Sequence, residues 1–281
     1  MDEKDEVVEP ISTNLAQLQF GRENKYSVYP GKYYIEVKNK IILDWNDPSP
    51  EEAATDGIHI SGNGFGYMKN LIISREGMDP KLADELASVV EGGDVIFHNC
   101  YFSGSGKGYL QGSGDSNMAD LLKGQRVIFS ECIFENCSRR NPFVQIGQGY
   151  LINCWIKNWG RNFHEKSFGI RAGKLGQVMA VNCIFEQESF FTCLKRGHLL
   201  EDIFGQYLFP LPGMPGFMRG AYADNGGHVK CVNCYKNRPW IYLENSTGKM
   251  SYTEMFNLKA KLVANDLIRK LQAIRIPNEE L

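Results

Sequence analysis

Residues 125–160 read QRVIFSECIFENCSRRNPFVQIGQGYLINCWIKNWG, and they contain one unit twice. Gln125 to Phe134 (QRVIFSECIF) and Gln148 to Ile156 (QGYLINCWI) align on Cys132 and Cys154. Between the copies lies RRNPFVQ, Arg139 to Gln145, a basic stretch with a proline. A scaffold repeat and the best candidate for chemistry are therefore interleaved.

Working outward, the unit recurs as DVIFHNCYF from Asp94, QVMAVNCIF from Gln177 and HVKCVNC from His228. Fainter copies run from Asn70 to Ser74 and from Lys40 to Leu43. Steps between the aligned cysteines are 32, 22, 29 and 51 residues, a short unit with insertions. Stacked coils in which only the loops change length produce that pattern. Two and four places before each Asn or Glu the residues are mostly apolar: Phe97, Phe129, Leu151 and Ala180, then Val95, Val127, Val178 and Val229. Those between them (His98, Ser130; Ile96, Ile128, Tyr150, Lys230) are mixed, as on an exposed face. The Asn or Glu falls at a bend, where Asn tolerates left-handed geometry and can bond its copy in the next coil. Phe102, Phe134, Ile156 and Phe185 resume the inward stack. The expected fold is all-β, a parallel β-helix. Cys100, Cys132, Cys154, Cys183 and Cys234 share one column, which cannot converge tetrahedrally on a metal. Small buried thiols filling a corner are the favoured reading.

Three parts follow: an N-terminal arm and capping segment at 1–30, the β-helix at 31–245, and a helical segment at 246–281. A helical insertion is expected near 80–91, where Asp79-Pro80 opens and Gly92-Gly93 closes a helix signature. Residues 187–227 read as a long loop, apolar and proline-rich at 208–218. Ser251 to Glu254 is a capping box for an amphipathic segment through about Gln272, expected to plug the open end of the β-helix.

With 29 Gly and 12% aromatics the composition of the 281 residues suits turn-rich β-structure. A net charge near −2 gives no global reason to expect nucleic acid. No window approaches a membrane span. The acidic N-terminus lacks a signal-peptide core, so the expected setting is cytoplasmic, virion-associated or reached by non-classical secretion. The five histidines show no metal-like spacing.

Taken together, these residues resemble the pectate lyase family of right-handed parallel β-helices (pectin lyase-like solenoids), over about residues 35–190. Gly112 to Asn117 (GSGDSN, containing Asp115) is similar to the family's G-H-S-D-S-N turn. Arg126 to Phe129 is similar to its R-V-T-F strand, and Arg140 to Gly147 (RNPFVQIG) to its R-x-P-x-x-R-x-G motif. Gly169 to Gly173 and Asn182 to Phe185 are similar to its penultimate strand pair. The resemblance implies that Arg140 abstracts the proton α to a uronate carboxylate and that Lys107 binds that carboxylate. It also implies substrate contacts from Arg139, Gln145, Arg171 and Asp115. Gln145 stands where the family has a second arginine, which removes a cationic contact. Calcium enters through the resemblance alone, and no convergent carboxylates are visible in Ala83 to Asp94. Away from the family, Arg140 also reads as a surface arginine in a turn and Lys107 as a solvated lysine. Two functions stand: an acidic-polysaccharide-binding protein with β-elimination activity, or an inactive structural or glycan-binding virion component. The second would assemble as a homotrimer or into a larger particle.

Overall fold

The computed structural model describes residues 32–36, 42–44, 58–60, 64–70, 72–74, 85–89 and 93–264, without 105, 113–124, 161–166, 196–215 and 225. The chain opens with β1 (Lys32–Glu36) and β2 (Ile42–Asp44). Triplets follow: β3 (Ile58–Ile60), β4 (Gly64–Lys69) and β5 (Ile72–Ser74), then β6 (Glu85–Val89), β7 (Gly93–His98) and β8 (Tyr101–Ser103). The next is β9 (Lys107–Gln111), β10 (Arg126–Ser130) and β11 (Ile133–Glu135). The first two members then merge into single long strands, giving β12 (Phe143–Ile152) with β13 (Trp155–Lys157) and β14 (Ile170–Val181) with β15 (Ile184–Glu186). Last come β16 (Arg219–Ala223), β17 (His228–Val232) and β18 (Tyr235–Lys236), then β19 (Tyr242–Leu243) and β20 (Ser246–Thr247).

Every strand pairs in parallel with its counterpart in the next triplet, so each triplet is a rung of a stack. A 7-stranded sheet runs in order β18-β15-β13-β11-β8-β5-β2. The 13-stranded sheet has two limbs that share β12 and β14. One limb is entered from β3, β6 and β9; the other contains β1, β4, β7, β10, β17 and β20. Mostly parallel β-structure in stacked sheets is consistent with a β-helix. One helix, Tyr252–Ala264, follows near the C-terminus.

The apolar columns of the repeat form the core. Phe97 stacks on Phe129 at 5.2 Å and Phe102 on Phe134 at 4.7 Å between ring centroids, all fully buried. Register forces this, because Phe97 is paired with Phe129 and Phe102 with Phe134. Each such ring contributes roughly 1.5–3 kcal/mol of burial free energy. The bends carry left-handed residues at Asn70, Asn99, Glu131, Asn153, Asn182 and Asn233, with φ between 50° and 61°. Asn99 donates to Asn70 at 2.7 Å and Asn233 to Asn182 at 2.8 Å, the bonding expected between copies. Behind every one of these bends except Asn70 a cysteine thiol donates to a carbonyl of the preceding rung, as Cys132 does to Phe97 and Cys154 to Phe129, both at 3.3 Å. The thiols are free and buried, and burial pushes those of Cys132 and Cys183 up, which keeps them protonated as donors.

Three expectations change. Glu85–Val89 is strand β6, fully buried and paired with β3 and β9, in place of a helix near 80–91. Ladder bonds on both sides outweigh the local capping signals there; the remainder of that stretch lies outside the described residues. The segment 187–227 holds a short helix, Phe190–Lys195, and strand β16, so it is more than a loop; the apolar run at 208–215 lies outside the described residues. The C-terminal helix, finally, lies along the side of the stack. Met255, Leu258 and Leu262 pack on Ile72, Tyr101, Ile133, Trp155 and Ile184, the outward column of the 7-stranded sheet. Its capping box forms as expected, with Ser251 N donating to Glu254 at 2.8 Å and Glu254 N to the Ser251 hydroxyl at 3.2 Å. The Ser251 hydroxyl, donating to the Glu254 carboxylate at 2.6 Å, and then the Ser251 N–H hold that carboxyl below its usual value. Lys259 pairs with Glu186, and Lys261 with Glu131 at 2.6 Å, fixing the helix across several rungs.

Candidate functional site

The basic stretch between the two copies folds onto the first limb. Arg139 bridges in parallel to Lys107, and Lys107 is in turn the register partner of Glu85. Gly108 N donates to the Arg139 carbonyl at 2.9 Å and Tyr109 N to the Arg140 carbonyl at 2.6 Å. A Cβ on Gly108 would stand 2.5 Å from that Arg140 oxygen, so the glycine after Lys107 is required for the approach. Arg140 adopts a left-handed φ of 62°, followed by a cis Asn141-Pro142 bond. Asn141 is buried and ties the turn down, its side-chain amide donating to Cys137 O at 3.2 Å and Phe168 O at 3.4 Å.

The Arg140 guanidinium forms an ion pair with Glu85, the two side chains being 20% and 4% exposed. Arg140 therefore pairs with a buried carboxylate whose strand position is in register with Lys107. Arg171 pairs with Asp224 and sits in an aromatic box, 4.5 Å from the Phe143 centroid, 5.3 Å from Phe168 and 5.6 Å from Tyr222. Arg140 approaches the same Phe143 ring at 5.8 Å. Phe143, Phe168 and Tyr222 are themselves buried and form a small cluster outside the main core. Arg219, 2% exposed, lies 5.9 Å from the Tyr222 ring, and burial lowers its pKa. Burial pushes the Tyr222 phenol up to about 12, so it remains protonated at neutral pH.

Of the residues singled out in the sequence, Lys107, Arg139 and Arg140 come together, and Arg171 joins them through Phe143. Gln145 occupies the irregularity between Val144 and Ile146, half-buried against Gly112. Asp115 lies outside the described residues. Sequence reasoning does not single out Glu85, Phe168, Arg219, Tyr222 or Asp224: Glu85 lies in the stretch without convergent carboxylates, and Arg219, Tyr222 and Asp224 lie in the expected loop. No family model matches the chain, and no curated protein matches it.

The two described carboxylates near the implied calcium position, Glu85 and Asp94, do not fit a calcium ion. Glu85 is committed to Arg140, while Asp94 holds Arg126 on the other limb. Among the described residues no group of three or more His, Cys, Asp or Glu side chains is arranged so that it could hold a metal ion. Calcium needs several oxygens around one point. Chemically, the first-limb group offers cations and rings, with the cation of Arg140 already balanced. No helix among the described residues is long and apolar enough to cross a membrane.

Proposed function

We propose that the protein is a right-handed, pectin lyase-like β-helix that holds acidic polysaccharide without cleaving it. The observation that carries this reading is the Arg140–Glu85 ion pair beside Lys107 and Arg139. A β-eliminating base must be able to lose its proton, and an arginine is almost never deprotonated in proteins. A carboxylate in direct contact favours the charged form still further. The same arrangement supports binding, since it gathers basic side chains from neighbouring rungs along one face, at intervals of about 4.8 Å.

Incubation with polygalacturonate, with and without calcium, tests both halves. Salt-sensitive retention on the immobilised polymer is expected, with no absorbance rise from unsaturated products. An absorbance rise that disappears in Arg140→Ala would establish elimination and overturn the non-catalytic reading. Failure to bind any acidic polymer would overturn the binding reading.

A second reading, a structural or glycan-binding virion component assembled as a homotrimer, is favoured by one observation. Tyr252 and Phe256 on the C-terminal helix are 69% and 60% exposed, on a side turned away from the sheet. Light scattering decides it: a trimer supports this assembly, and a monomer overturns it.

A further inference from the structure

A cleft of about 460 Å³ crosses the outward side of the second limb at its C-terminal rungs. It shares no lining residue with the Arg140 group. Its walls come from columns in strict register: Gln148, Gln177 and His228 form one, and Tyr150, Met179 and Lys230 the next. Asn245, Ser246 and Thr247 close one end. Neighbouring strands place like positions about 4.8 Å apart. The face is therefore a regular array of amide, hydroxyl, aromatic and cationic groups.

Each element has a definite capacity. The Tyr150 hydroxyl donates to Gln148 Oε1 at 2.8 Å, which occupies the amide oxygen and leaves its N–H groups for an outside acceptor. Tyr150 and Met179 offer an aromatic and a thioether surface, suited to the C–H face of a sugar ring. Lys230 and His228 are exposed and have no ion pair among the described residues. Several cations elsewhere are matched by carboxylates: Arg126 by Asp94, Lys157 by Glu135 and Arg171 by Asp224. Lys230 thus leaves a positive charge at the cleft that an anionic ligand can meet, with the His228 ring nitrogens beside it.

We propose that this cleft is a second glycan subsite, taking a short run of a carboxylated or sulfated oligosaccharide. Lys230 and His228 meet the acidic group, Gln148 and Gln177 bond the hydroxyls, and Tyr150 and Met179 support a ring. The inference rests on the acidic-glycan reading above but assigns a different face of the molecule. A protein partner would find few large apolar anchors here, whereas a hydroxyl-rich chain finds a donor or acceptor on each rung.

The test titrates the protein with tetragalacturonate while following the Met179 methyl and His228 ring resonances by NMR. Both signals should shift and saturate, and Lys230→Ala should weaken the affinity read at Met179 by roughly tenfold or more, the loss of a charge-assisted hydrogen bond. The carboxyl-reduced tetrasaccharide should bind at least as weakly. Retention on polygalacturonate with both resonances unmoved would overturn the cleft and leave the acidic-glycan reading standing. Neither retention nor shifts would overturn both. Equal affinity for the carboxyl-reduced probe would overturn the assignment of Lys230 and His228 to an acidic group.

Discussion

Two outward faces of the stack are built by the same strand alternation and meet opposite fates. On the 7-stranded sheet the outward column is Ile72, Tyr101, Ile133, Trp155 and Ile184, and the C-terminal helix covers it. On the second limb the equivalent positions are Gln148, Gln177 and His228 beside Tyr150, Met179 and Lys230, and they stay open to solvent. The core inside both is the same stack of Phe, Val and Cys. The covered face therefore serves stability, and the open one is available for a ligand.

That contrast can be broken by substitution. Phe129→Ala removes a ring shared by all faces and should cost about 3–5 kcal/mol in denaturant unfolding. A smaller loss would mean that the core is not continuous across the rungs. Leu262→Ala acts only on the covered face and should cost about 2–3 kcal/mol. It should also shift Trp155 emission to the red, because Trp155 lies beneath the helix with Lys259 at 4.7 Å from its ring. Unchanged emission would contradict the helix placement. Met179→Ala, the counterpart on the open face, should change stability by no more than about 0.5 kcal/mol. A larger loss would show that something covers that face too.

The inward columns and the Asn bends were legible because their spacing obeys the strand period and the left-handed preference of Asn. The Ser251–Glu254 cap was legible because its partners are three residues apart. Strand β6 was not: Glu85 to Val89 is buried throughout, so no alternation marks it, and Asp79-Pro80 and Gly92-Gly93 imitate helix ends. The helix position was missed although its signal was present, since the residue after each aligned cysteine (Tyr101, Ile133, Trp155, Ile184, Tyr235) is apolar in every copy. At the candidate site, Arg140 and Lys107 were visible by resemblance. The carboxylate partner of Arg140 was not, because Glu85 reaches Arg140 only once the rungs stack.

The central claim is that Arg140 is held as the partner of Glu85 rather than poised as a base. A double-mutant cycle on Arg140→Ala and Glu85→Gln, measured by equilibrium unfolding, tests it most directly. Arg140→Ala alone should cost about 3 kcal/mol, because it strands a buried carboxylate, and the double variant should recover a large part of that loss. Single effects that add to within about 0.5 kcal/mol would show that the two side chains are not coupled and would contradict the account.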